Sequence, residues 1–159
     1  GSTDGTVPMA EAAGARVVSH PFETHARQWR WALDTLPIAT EWVLALDADQ
    51  RVTPELRAAI ASALSGPSAA GVSGYFLNRR QIFRGRWIRH GGYYPKYLLR
   101  LFRRGAVSLD DADLVDHHFA VSGPLGRLDG DLIEDNRNEA AIAEWTAKHN
   151  RYAVLQARQ

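Results

Sequence analysis

One segment limits the folding options of this chain more than any other. Trp42-Val43-Leu44-Ala45-Leu46 is an uninterrupted apolar run of strand length, and it stops abruptly at Asp47-Ala48-Asp49-Gln50. A strand with one wet face alternates apolar and polar residues, whereas a continuously apolar one has both faces covered. The run therefore predicts a central parallel strand. In open α/β sheets ligands gather beyond the carboxyl ends of the strands, which is where Asp47 and Asp49 fall. Two carboxylates two residues apart can reach one hard cation or one polyhydroxyl ligand together. Oxygen donors select Mg²⁺, Mn²⁺ or Ca²⁺ over softer metals. The competing use of the same pair is structural, since Asp also favours turns and helix N-caps.

The flanking sequence alternates between helix and strand patterns. Residues 7–14 read as a short helix stopped by Gly14, and 15–19 as a short strand. Residues 23–36 read as a helix with Trp29, Ala32, Leu33 and Leu36 on one face. Thr53 as N-cap, Pro54 at N1 and Glu55 in the first turn open another helix, which runs to about Leu64 before Ser65-Gly66-Pro67-Ser68 breaks it. Residues 72–83 are β-rich, 84–96 form a loop of Gly, Arg and aromatic residues, and 97–102 return to strand. Residues 106–135 read as short strands and turns. Residues 138–156 form the last helix, with Ile142, Trp145, Tyr152 and Leu155 near one face. The expected fold is α/β: a mostly parallel sheet flanked by helices, with antiparallel strands added in a β-rich second half and a closing C-terminal helix.

A length of 159 residues suits one domain with a sizeable core. Hydrophobic residues at 45% and charged residues at 23% exclude wholesale disorder. Nineteen Lys and Arg stand against eighteen Asp and Glu, a net charge of +1. That balance excludes nucleic-acid binding through bulk charge but leaves room for a local basic patch. The absence of Cys excludes disulfides, thiolate metal sites and a cysteine nucleophile. No apolar stretch is long enough for a membrane-spanning helix, and Gly1-Ser2-Thr3-Asp4-Gly5-Thr6 does not read as a signal peptide; a cytoplasmic setting is expected.

Two further groups could carry chemistry. Asp116-His117-His118 offers a carboxylate and two imidazoles that titrate near neutrality. In a strand, 117 and 118 would face opposite sides, so only one would enter a given site. The stretch from Arg79 to Arg104 interleaves arginines with Phe83, Trp87, Tyr93, Tyr94 and Tyr97. It fits a diphosphate clamp, a nucleic-acid surface, an anionic membrane surface or a solvated face. His149-Asn150-Arg151-Tyr152 reads as packing and capping.

In their order and spacing these motifs resemble the family 2 glycosyltransferases of the GT-A fold, closest to the bacterial group that builds lipopolysaccharide core and exopolysaccharide sugars. The carrying residues are Gly1-Ser2-Thr3-Asp4-Gly5-Thr6, Trp42 to Asp49, Thr53-Pro54-Glu55-Leu56, Gly85-Arg86-Trp87-Ile88-Arg89-His90-Gly91-Gly92, Leu99-Arg100-Leu101-Phe102-Arg103-Arg104-Gly105 and Lys148-His149-Asn150-Arg151-Tyr152. The resemblance implies inverting transfer of a sugar from a nucleotide-sugar donor to a hydroxyl of a saccharide or lipid-linked saccharide acceptor. It places Asp4, Asp47 and Arg100 on the donor, and Asp47 and Asp49 on Mn²⁺ or Mg²⁺ at the diphosphate. It makes residues 1–64 the donor-binding part of the domain, 65–135 the acceptor and catalytic part and 136–159 the closing helix. It also implies association with the inner face of the plasma membrane and no nucleic-acid partner. Relatives carry a Glu as base where this chain has His117, so Asp116 or His117 takes that role here. They also carry two strands before the opening turn, so the chain is expected to be an N-terminally truncated member. A non-catalytic binding module and a metal-dependent phosphohydrolase using Asp47, Asp49 and the histidines are the alternatives.

Overall fold

A computed structural model of the chain describes residues 3–66, 70–109, 118–137 and 141–157. The first helix, α1 (Thr6–Ala12), starts where the Asp4 carboxylate accepts hydrogen bonds from the Thr6 backbone N–H, at 3.0 Å, and from the Thr6 hydroxyl. Gly14 follows with a φ of +84°. The strand expected over 15–19 does not form: this stretch has no sheet partner among the described residues, and Val17 and Val18 are about 40% exposed. Helix α2 (His25–Thr35) is capped by Thr24, whose side chain accepts from Arg27 N. Helix α3 (Pro54–Ser65) carries the expected Thr53 cap, Pro54 in its first turn and Glu55 behind it.

The strands among the described residues are β1 (Trp42–Leu44), β2 (Gln50–Val52), β3 (Gly74–Phe83), β4 (Arg86–Trp87), β5 (Tyr97–Arg103), β6 (Val107–Leu109), β7 (Phe119–Val121) and β8 (Leu125–Asp135). Helix α4 (Ile142–Gln156) closes the chain. The main sheet has the order β1-β5-β3-β8-β2, with β4 paired to β3, while β6 and β7 form a separate ribbon. Among the described residues only β3 and β8 run parallel, and the other pairings are antiparallel. The fold is therefore mixed α/β, and the expectation of a mostly parallel sheet is corrected. The short strands expected over 106–135 are present as β6 and β7, but 125–135 is one eleven-residue strand, β8, placed in the sheet between β3 and β2.

The apolar run at 42–46 shows how the two readings diverge. Val43 and Ala45 pack in a cluster with Ala26, Phe102 and Phe119, while Trp42, Leu44 and Leu46 pack in a second cluster with Leu56, Tyr75 and Leu101. Both faces are covered, as inferred. Covering both faces, however, sets no direction for the neighbouring strand. The run pairs antiparallel with β5, Leu44 opposite Leu101, and among the described residues it has no partner on its other side.

The same alternation organises the core. Adjacent residues of a strand point to opposite faces, and Leu101 and Phe102 of β5 lie in different clusters, each at most 1% exposed. Helix α2 lays Ala26, Trp29 and Leu33 on the Phe102 side, and α3 lays Leu56 and Ile60 on the Leu101 side. Leu56, Leu77, Leu101 and Leu132 are fully buried, each contributing about 1.5–3 kcal/mol. Close contact of α3 with β8 depends on Gly130, which has a φ of +89°. A Cβ there would strike the backbone of Leu56, with its Cα only 2.7 Å away.

Candidate functional site

After β1 the chain leaves the sheet for one turn and returns as β2. Ala45 N still donates to Arg100 O at 2.8 Å, so Asp47 departs from an anchored point. The turn over Asp47-Ala48-Asp49 closes with Gln50 N donating to Asp47 O at 3.0 Å. Gln50 is only 7% exposed, and both the oxygen and the nitrogen of its amide are engaged. Its Oε1 accepts from Asp47 N at 3.0 Å, and its Nε2 donates to Glu134 Oε2 at 2.9 Å. The other oxygen of Glu134 accepts from Arg79 Nη1 at 3.2 Å. On the far side of the turn, Asp135 N donates to Asp49 O at 3.0 Å. The turn is thus held at both ends by the last residues of β8.

Arg100 rises from β5 beneath this turn. It is 6% exposed, and its Nη2 donates to Asp47 Oδ2 at 2.9 Å. A guanidinium so deep in the protein needs a carboxylate partner, because an unpaired buried charge costs several kcal/mol, on the order of 3–5. Asp49 is in a different position. Burial pushes its carboxyl above the usual carboxylate range, and the charges of Glu134 and Asp47 push the same way; its backbone hydrogen bond and the Lys148 ammonium oppose them.

Asp47, Asp49 and Arg100 all line an open cleft of about 1030 Å³. Glu134 shares its acidic wall, and Arg79, Lys96 and Lys148 bring cations to the same space. Imidazoles reach it from three elements, as His25 of α2, His118 just before β7 and His149 of α4. One rim is aromatic. Trp145 meets Phe83 edge-on at 6.4 Å between centroids and stacks with His149 at 3.9 Å. Volume and polarity suit a ligand of drug or cofactor size that carries both charge and ring faces.

The residues singled out in the sequence are distributed unevenly. Asp47, Asp49 and Arg100 come together. Asp4 sits just before α1, hydrogen-bonded to Thr6, and is not among the cleft-lining residues; the Thr6 hydrogen bonds hold its carboxyl below the usual value. Asp116 and His117 lie outside the described residues. His118, expected to turn away from His117's face, lines the cleft. Glu134 and Gln50 were not foreseen, because their role comes from the β2–β8 pairing, Gln50 opposite Glu134. Of the α4 residues read as packing and capping, His149 and Tyr152 line the cleft, together with Trp145 and Lys148. Their spacing, with Trp145, Lys148, His149 and Tyr152 at i, i+3, i+4 and i+7, is the pattern that marks one helix face.

Among the described residues no three Asp, Glu or His side chains converge closely enough to hold an ion by themselves. Asp47 and Asp49 are a partial oxygen donor set of the kind that binds Mg²⁺ or Mn²⁺ together with substrate phosphates and waters. A cation beside Asp49 would offset the burial and like-charge repulsion that its carboxylate experiences. The residues therefore fit such an ion as a shared ligand. No family model matches the chain, and no solved structure matches it.

Proposed function

We propose that the cleft binds a nucleotide-sugar donor and transfers its sugar, with inversion, to a hydroxyl of a saccharide or lipid-linked saccharide acceptor. The observation that carries this reading is the anchored Asp47-Ala48-Asp49 turn. It presents two carboxylates to a cleft that also holds Arg79, Lys96 and Lys148. Carboxylates for a cation and a sugar, beside cations for a diphosphate, are the complementary set such a donor requires. Mn²⁺ or Mg²⁺ held by Asp49 and Asp47 would offset charge growing on the departing nucleoside diphosphate.

The chain's own groups divide the remaining work. Arg100 fixes one oxygen of Asp47, leaving the carboxylate a set orientation toward the ligand. The Gln50–Glu134–Arg79 hydrogen-bond chain holds the turn in place before ligand arrives, so little ordering is left for binding to accomplish. Asp116 or His117 is the proposed base on the acceptor hydroxyl, a role worth roughly 10²–10⁴-fold in rate.

Calorimetry tests the donor half directly. Mn²⁺ is expected to bind the chain weakly alone and more tightly in the presence of UDP or GDP, because the diphosphate completes its ligands. Equal Mn²⁺ affinity with and without either nucleotide would overturn the reading.

A further inference from the structure

Charge is strongly segregated along this nearly neutral chain. Between Glu55 and Asp110 there is no Asp or Glu, while ten Arg and Lys fall in the same stretch. Four of them are matched by carboxylates from elsewhere: Arg79 by Glu134, Arg80 by Asp131, Arg100 by Asp47 and Arg103 by Glu41. Arg84, Arg86 and Arg89 are exposed, and among the described residues none of them pairs with a carboxylate. All three sit on the hairpin that joins β3 to β4 and on the segment just after it, with His90 next in line.

The hairpin is built in a way that favours display of these cations. Phe83 pairs with Arg86, so the loop is the two residues Arg84-Gly85. Both have positive φ, 51° and 74°, as a tight hairpin turn of this kind requires. Asn or Gly suits the first position, and a long side chain there is strained. The turn nevertheless carries an arginine at its tip. Below it, Trp87 is enclosed by guanidinium groups, with Arg80 at 4.3 Å and Arg89 at 4.2 Å from its ring centroid, and Tyr94 meets it edge-on.

We propose that this hairpin is the surface by which the protein docks on a bilayer containing anionic phospholipid, through Arg84, Arg86 and Arg89. Exposed cations with no carboxylate partner among the described residues, gathered at one tight turn and the segment after it, complement a negative surface. Single-stranded nucleic acid is the other polyanion of note, but it binds by stacking bases on open aromatic faces. Of the two rings at the hairpin's end, Trp87 is surrounded by the guanidinium groups and Tyr94, and Phe83 packs edge-on against Trp145. The residues that follow, Gly91, Gly92 and Tyr93, line the cleft, so docking would bring the cleft mouth close to the lipid surface. The inference does not depend on what the cleft does.

Sedimentation of the full chain with vesicles tests it. Phosphatidylglycerol mixed into phosphatidylcholine is expected to bind the chain, pure phosphatidylcholine is not, and raising salt from roughly 0.1 M to about 0.5 M should release it. Each cation near such a surface contributes about a fivefold factor in affinity, so removing all three should weaken binding on the order of 100-fold. Arg84→Gly separates docking from folding, because it relieves the strained φ. It should raise thermal stability while lowering vesicle affinity about fivefold. Arg16→Ala, an exposed cation elsewhere, should leave vesicle binding unchanged, and free glycerol phosphate should not compete. Equal binding to pure phosphatidylcholine, unimpaired binding by Arg84→Gly and Arg86→Glu, or preference for a single-stranded oligonucleotide over the anionic vesicles would each overturn the proposal. Because vesicle binding needs neither metal nor nucleotide, its failure is distinct from failure of the glycosyl-transfer reading.

Discussion

Replacing Asp131 with Ala should destabilise the protein more than any other single change of a polar residue considered above. Asp131 is 6% exposed and lies on β8 next to Gly130. Its Oδ1 accepts from Asn78 Nδ2 at 2.7 Å and from the Tyr94 hydroxyl at 3.2 Å. Its Oδ2 accepts from Arg80 Nε at 3.0 Å and also from Arg80 Nη2. One carboxylate thus joins β3, β8 and the 90–96 loop. Its loss removes the acceptor of the Asn78 Nδ2 donor, on a side chain 7% exposed, at a cost of about 1–3 kcal/mol. The Arg80 side chain is 32% exposed and can recover part of its hydration, so its share falls below the 3–5 kcal/mol of a fully buried broken pair, to about 1–2 kcal/mol. The sum is roughly 2–5 kcal/mol, a large part of the 5–15 kcal/mol typical of a domain.

Urea unfolding at pH 7 measures this difference. Asp131→Asn keeps the shape and one carbonyl acceptor, so it should lose about half as much. A double-mutant cycle with Arg80→Met should show coupling above about 1 kcal/mol, since the two side chains share a charge-assisted bidentate contact. A loss below roughly 1 kcal/mol for Asp131→Ala would refute the claim that this network ties the strands and loop together.

Three further outcomes are expected. Gly130→Ala should cost about 3 kcal/mol or more by thermal unfolding, because the positive φ and the Leu56 backbone both resist a Cβ. Asp49→Asn should be more stable than the wild type at pH 7. Its folded pKa lies above its unfolded value, so the folded state binds the extra proton and stability falls as pH rises through that folded pKa. Paired melts should show the advantage vanishing below the ordinary value of 3.8, where both states are protonated. In a sugar-transfer assay, His117 as base would give activity that rises through a pKa near about 6.5 and a limb that His117→Ala abolishes. Asp116 as base would place the limb lower and make Asp116→Asn the damaging change; wild-type kcat/KM in both variants would remove the base from this pair.

What the sequence determined by itself is what local chemistry controls. Thr53-Pro54-Glu55 starts α3 because its side chain and ring satisfy or forgo the donors that any helix start exposes. Residues 42–46 are covered on both faces because five consecutive apolar side chains leave no face for water. Asp47 and Asp49 stand at the end of that run, on the wall of the cleft. The direction of the neighbouring strand was not legible, since parallel and antiparallel ladders cover the same faces equally well. Nor were Glu134 and Gln50, which lie 84 positions apart and meet only through the β2–β8 register. Residues 15–19 read as strand from composition alone, yet a strand exists only where another supplies its hydrogen bonds. Tertiary structure decided those pairings, and with them which carboxylates, cations and rings share one cleft.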